Sequence, residues 1–122
     1  MDVIKERIKA RDVVVARVGN WVSMLDFSVT AVLAGSYARG DFNLWSDVDV
    51  LLVSDSFPES PLDRLKMVDP PEGVEVIPLT RRDFYRLVKK KNPLVVDAQK
   101  YGIILRDDLG LFKDQRSNSS EE

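Results

Sequence analysis

A chain of 122 residues, 44% hydrophobic and 31% charged, can bury a core, and its length predicts one domain. It contains neither cysteine nor histidine. That excludes disulfides, thiolate metal sites, cysteine nucleophiles and catalytic triads built on imidazole, so chemistry falls to carboxylates, hydroxyls, Lys, Arg and a hard cation such as magnesium.

The N-terminal MDVIKERIKARD carries charges every few residues and lacks the apolar centre of a signal peptide. No run approaches the ~20 apolar residues of a membrane helix. A cytoplasmic protein without membrane association is expected. The net charge of −2 gives no general attraction for nucleic acid, and direct nucleic-acid binding is not expected.

Residues 3–26 predict a helix. Ile4, Ile8, Val15, Val18, Val22 and Leu25 recur at spacings of three, four and seven, an apolar stripe destined for the core. Arg11 interrupts the stripe, Val13–Val15 are β-branched, and the helix could break at Gly19-Asn20. Spare apolar surface around Val14 and Trp21 could serve a homodimer or a partner interface. Residues 29–34, VTAVLA, predict a buried strand closed by Gly35. Ser36–Arg39 predict one helical turn with Ser36 near its N-cap. Residues 40–46, GDFNLWS, predict a loop. VDVLLV, 48–53, predicts a second strand, with Val48, Val50 and Leu52 on one face and Asp49, Leu51 and Val53 on the other.

SDSFPESP, 54–61, predicts a loop, 62–68 a short helix, and VEVIPL, 74–79, a strand whose Pro78 favours its end or a sheet edge. Thr80-Arg-Arg-Asp83 has the pattern of a capping box opening a helix to about Lys91. Pro93 starts another helix, 93–100, and IIL, 103–105, predicts a last strand. The polar tail 114–122 is expected to fray, leaving a single domain over 1–113. The order helix, strand, strand, helix, strand, helix, helix, strand predicts an α/β (α+β) fold, a mixed sheet packed by helices.

Three acids stand inside these apolar patterns: Asp47, Asp49 and Glu75. Asp47 and Asp49 face the same side of the second strand, with Cα atoms roughly 7 Å apart. Burying two like charges is costly unless a divalent cation lies between them. Glu75 joins the pair if the third strand lies beside the second. Three carboxylates around two magnesium ions suit phosphoryl or nucleotidyl transfer. Gly35 permits close backbone approach, Ser36 offers a hydroxyl, and Arg39 a charge-assisted contact for a triphosphate. Taken singly, each has a plainer reading. A lone Asp-x-Asp is usually a turn, a lone Gly-Ser a loop, Glu75 an exposed strand residue, and Arg39 a partner of Asp41 or Asp47. The rare order of the whole stretch, strand, Gly-Ser, half-turn, loop, Ser-Asp-x-Asp, apolar strand, sets it apart.

The stretch GSYARGDFNLWSDVDVLLV, 35–53, resembles the nucleotidyltransferase superfamily with a DNA-polymerase-β-like fold, and most closely its minimal nucleotidyltransferase branch. Gly35-Ser36, Asp47-Val48-Asp49 and Val74-Glu75-Val76 match the pattern, although the third acid is commonly Asp in relatives. NPLVVDAQKYGIILRDD looks like the usual close of these domains, so the resemblance spans roughly 28–108. It implies that Asp47 and Asp49 bind magnesium and that Gly35 and Ser36 hold the triphosphate, with Arg39 and Ser46 as further nucleotide contacts. It implies that Glu75 ligates the catalytic metal and helps deprotonate an acceptor hydroxyl. The reaction implied is transfer of AMP from ATP with release of pyrophosphate. Larger members carry a second, helical domain that binds the acceptor, and none is expected in a chain of this length. Minimal relatives resemble the antitoxin half of a toxin–antitoxin pair whose partner is a small helical HEPN-type ribonuclease. Two other readings stand beside this one: a binding module that neutralises a partner without chemistry, and transfer to a small molecule.

TRRDFYRLVKKKN concentrates Arg81, Arg82, Arg86 and Lys89–Lys91, either a solvated helix face or a dock for an acidic partner or RNA. Tyr37, Phe42 and Trp45 frame the site loop, and core packing is the better reading for them than stacking on a base.

Overall fold

The computed structural model describes residues 3–43 and 46–112; the readings made for Trp45 and for the tail 114–122 fall outside them. The elements are α1 (Val3–Ser23), β1 (Thr30–Ala34), α2 (Gly35–Arg39), β2 (Val48–Val53), α3 (Pro61–Val68), β3 (Val74–Leu79), α4 (Arg81–Lys89), α5 (Pro93–Tyr101) and β4 (Ile103–Asp107). The four strands form one sheet in the order β3-β2-β1-β4. β1 runs antiparallel to β2 and to β4, while β2 and β3 are parallel, so the sheet is mixed as expected. Among the described residues no helix is long and apolar enough to cross a membrane.

The alternation of β2 divides the core as its sequence predicts. Val48, Val50 and Leu52 pack with Val18 and Val22 of α1 and Val68 of α3 on one face. Leu51 and Val53 pack with Phe84 of α4 and Val95 and Ala98 of α5 on the other. β2 lies inside the sheet with apolar cover on both faces, which explains its nearly continuous hydrophobic run. Pro78 sits on β3, an edge strand, where its missing N–H is tolerated.

α1 departs from expectation in two ways. It runs unbroken through Gly19-Asn20, because Val18 and Val22 on either side are both anchored in the core. Its apolar stripe is buried only in the second half: Ile4 is 71% exposed and Ile8 53%. Periodicity places these residues on the core-facing stripe, but the first turns of the helix lie against α2 and the residues after it, where Arg7 and Arg11 donate to the Gly40 and Ala38 carbonyls. Val14 and Trp21 are not the spare surface. Both are packed against the core, and the Trp21 indole donates to the Val68 carbonyl at 2.8 Å. Tyr37 and Phe42 stack on each other with centroids 4.2 Å apart, and Phe42 is buried, which supports core packing for this pair.

α4 opens as its sequence predicts. The Thr80 hydroxyl accepts from the Asp83 N–H at 3.1 Å, and the Asp83 carboxylate accepts from the Thr80 N–H at 3.2 Å. Arg64, a buried residue of α3, donates to Asp83 at 2.9 Å and to three backbone carbonyls, so its charge is paired and its donors satisfied. Burial alone would raise the Asp83 carboxyl; the bonds from Thr80 and Arg64 outweigh it and hold it below the usual range. Thr80→Ala removes the cap and is expected to lower stability by about 1 kcal/mol in urea unfolding at neutral pH. An unchanged midpoint would show that α4 is held by packing alone.

Candidate active site

β1, the five-residue α2 and β2 build one rim. β1 ends at Ala34, and the chain turns directly into α2 at Gly35, whose φ of +71° is left-handed. The cap residue is Ala34, not Ser36, and no side chain caps this turn. Ser36 therefore sits inside the first turn of α2, where its hydroxyl is not used as a cap. A Cβ on Gly35 would fall well inside van der Waals contact of Asp49 Oδ2. The glycine is thus required twice, for its backbone angle and for the carboxylate that lies against it.

The in-phase register of the parallel β2–β3 pair sets Asp49 opposite Glu75. Ala34 faces Asp49 from the other side. Asp47 lies just before β2, and the neighbouring Val48 N–H donates to the Gly73 carbonyl at 3.1 Å, tying the entries of β2 and β3 together. The Ser46 hydroxyl accepts from the Asn43 N–H at 2.9 Å and closes the loop that leads to Asp47.

All seven residues singled out from the sequence, Gly35, Ser36, Arg39, Ser46, Asp47, Asp49 and Glu75, line one open cavity of about 600 Å³. Three further residues of α5 complete it: Pro93, Leu94 and Asp97. Asp97 was not legible in the sequence. It lies 58 residues from Arg39, yet the two are paired at 2.9 Å. Arg39 also pairs with Asp41 at 3.3 Å; no pair with Asp47 forms. Among the described residues Asp47, Asp49 and Glu75 therefore line the cavity without an ion pair.

Electrostatics record that crowding. Burial is the main reason the Asp49 carboxyl sits above the ordinary carboxylate range; Glu75 and then Asp47 push it further, and Arg39 partly offsets them. A divalent cation would remove the like-charge repulsion, and oxygen donors suit magnesium. Asp47, Asp49 and Glu75 are the oxygen donors that line this part of the cavity. Among the described residues no three acids stand close enough together to hold one metal ion. That is compatible with magnesium held through a few carboxylates, water and the phosphates of a substrate. Arg39 on the same wall supplies positive charge for such phosphates.

Residues 20–110, more than half of the chain, match the nucleotidyltransferase domain family. A crystal structure of a protein from Sulfolobus solfataricus, provisionally assigned as a nucleotidyltransferase, superposes with a TM-score of 0.52. It is 24% identical, and the match covers 83% of each chain, so the two share the fold. No curated protein matches the chain.

Proposed function

The chain belongs to the nucleotidyltransferase domain family, and on that footing we propose that it is a magnesium-dependent enzyme moving AMP from ATP to a hydroxyl of a partner protein. The pairing would be that of an antitoxin with a small helical HEPN-type toxin. The observation that carries the catalytic part is the β2–β3 register, which sets Asp49 beside Glu75 in a cavity shared with Asp47, Gly35 and Ser36. The partner rests on the resemblance of the 35–53 stretch to minimal nucleotidyltransferases.

Each residue then has a task. Ser36 and the uncapped first turn of α2 contact the triphosphate, and Gly35 lets it approach the backbone. Arg39, aimed by Asp97, meets phosphate oxygens as a charge-assisted donor. Magnesium, when held by Asp47, Asp49 and Glu75, would neutralise phosphate charge. Glu75 also accepts the proton of the acceptor hydroxyl. The acceptor oxygen bonds to the α-phosphorus, the bond from that phosphorus to the bridging oxygen breaks, and pyrophosphate leaves.

The test uses ATP labelled on the α- or the γ-phosphate, incubated with the chain and a HEPN-type protein. Label from the α position alone on the partner supports the reading. Label from the γ position would make the enzyme a phosphoryl transferase, and no label from either would remove the proposed acceptor. Asp97→Ala, which leaves Arg39 only its pair with Asp41, is expected to weaken magnesium–ATP binding about fivefold. Unchanged affinity would reduce the Arg39–Asp97 pair to a surface contact.

A further inference from the structure

The outer face of α4 takes no part in the carboxylate cavity. Arg82 and Arg86 are exposed and lie four residues apart, with Lys89, Lys90 and Lys91 continuing the row, also exposed. None of the five makes an ion pair among the described residues. The other two arginines at this end are already engaged, Arg81 with Asp55 at 2.8 Å and Arg64 with Asp83 at 2.9 Å. Arg82 and Arg86 also line a concavity of about 550 Å³ beside the 55–59 loop, where Glu59 is the one lining acid left to balance them.

The row has a direction. α4 ends at Lys89, Lys91 follows, and Pro93 and Leu94 already line the carboxylate cavity. The ridge therefore leads to the rim of the active site. Lys91 has a φ of +55°, a left-handed position at a helix end that glycine fills at no steric cost. A cation is held there against the local backbone preference.

We propose that the ridge from Arg82 to Lys91 is the surface on which the acceptor docks, and that the acceptor is a polypeptide with an acidic segment beside its reactive hydroxyl. This rests on the transferase reading and specifies its substrate. Charge complementarity identifies the occupant: the ridge steers an acidic surface toward the cavity rim. A polypeptide fits better than a nucleic acid. Its acidic segment stays on the ridge while a neutral hydroxyl enters the cavity. In a nucleic acid every hydroxyl lies within a nucleotide of a phosphate, so that acceptor would bring further negative charge beside the bound triphosphate and the carboxylates of Asp47, Asp49, Glu75 and Asp97.

The experiment reads binding without ATP, so its failure is separate from failure of the transfer reaction. A fluorescein-labelled glutamate–tyrosine copolymer is titrated with the full chain by anisotropy, beside a lysine–tyrosine copolymer and a mixed-sequence single-stranded RNA. The acidic copolymer is expected to bind at low salt and to loosen as salt rises, while the basic one does not bind. Arg82→Glu/Arg86→Glu and Lys89→Glu/Lys90→Glu should each weaken it about tenfold or more. Arg82→Lys/Arg86→Lys should largely retain it. Lys91→Gly should weaken binding while raising the melting temperature, a combination that a structural role for the lysine does not give. Absence of binding, indifference to charge reversal, or tighter binding of the RNA through the same residues would each overturn the proposal, the last in favour of a nucleic-acid surface.

Discussion

Asp49→Asn is expected to cut nucleotide transfer roughly a thousandfold while making the metal-free protein more stable. The two effects share a cause. Asp49 lies against Gly35 and opposite Glu75, and its carboxyl is raised by burial first and by Glu75 and Asp47 next. A carboxyl raised in the folded state destabilises the fold when ionised. That penalty is absent below its pKa in the unfolded chain, grows as pH rises, and is complete above its pKa in the folded chain. Asn carries no charge, so the gain in melting temperature appears at neutral pH and vanishes in acid. Magnesium with ATP reverses the order by stabilising the parent and not the variant. Thermal unfolding in chelator, at neutral pH and at about pH 3, and again with magnesium and ATP, checks each part. A variant that melts below the parent at neutral pH without metal would mean that Asp49 is a structural residue.

Gly35→Ala is expected to be the most damaging single methyl in the site, at about 2–3 kcal/mol of stability together with loss of nucleotide binding. Part of that is the left-handed backbone at φ +71°. The rest is the collision of the new methyl with Asp49 Oδ2, which must move or force β1 and β2 apart. Gly40→Ala separates the two terms. Gly40 also has a positive φ, +94°, but a methyl there meets nothing within 4 Å. It should lose about 1 kcal/mol and keep the site. Equal effects at both positions in denaturant unfolding and nucleotide titration would show that contact with Asp49 does not matter.

Most of this site was legible because its signals are local. Gly35-Ser36 closes one apolar strand and Asp47-Val48-Asp49 opens the next, so sequence distance alone brings them near each other. The two faces of β2 could be read from alternation. Glu75 could be read only conditionally, since nothing in VEVIPL says which strand it pairs with; the parallel β2–β3 register supplies that. Asp97 was out of reach, because a pairing across 58 residues leaves no periodic trace. The cap of α2 was misplaced by one rule overriding another. Ser favours N-caps, but the left-handed Gly35 begins the turn one residue earlier. The stripe of α1 was real, yet periodicity describes a helix face and not what lies beneath it. Ile4 and Ile8 share the stripe of Val18 and Val22 without sharing their burial.

If the carboxylates around Asp49 form a metal-dependent nucleotide site, nucleotide and magnesium must bind together. Calorimetric titration of a non-hydrolysable ATP analogue, with and without magnesium, into the parent and into Asp47→Ala/Asp49→Ala tests it most directly. Binding that requires magnesium and is lost in the double variant is the predicted result. Binding that ignores magnesium, that survives in the variant, or that is missing from both proteins would contradict it.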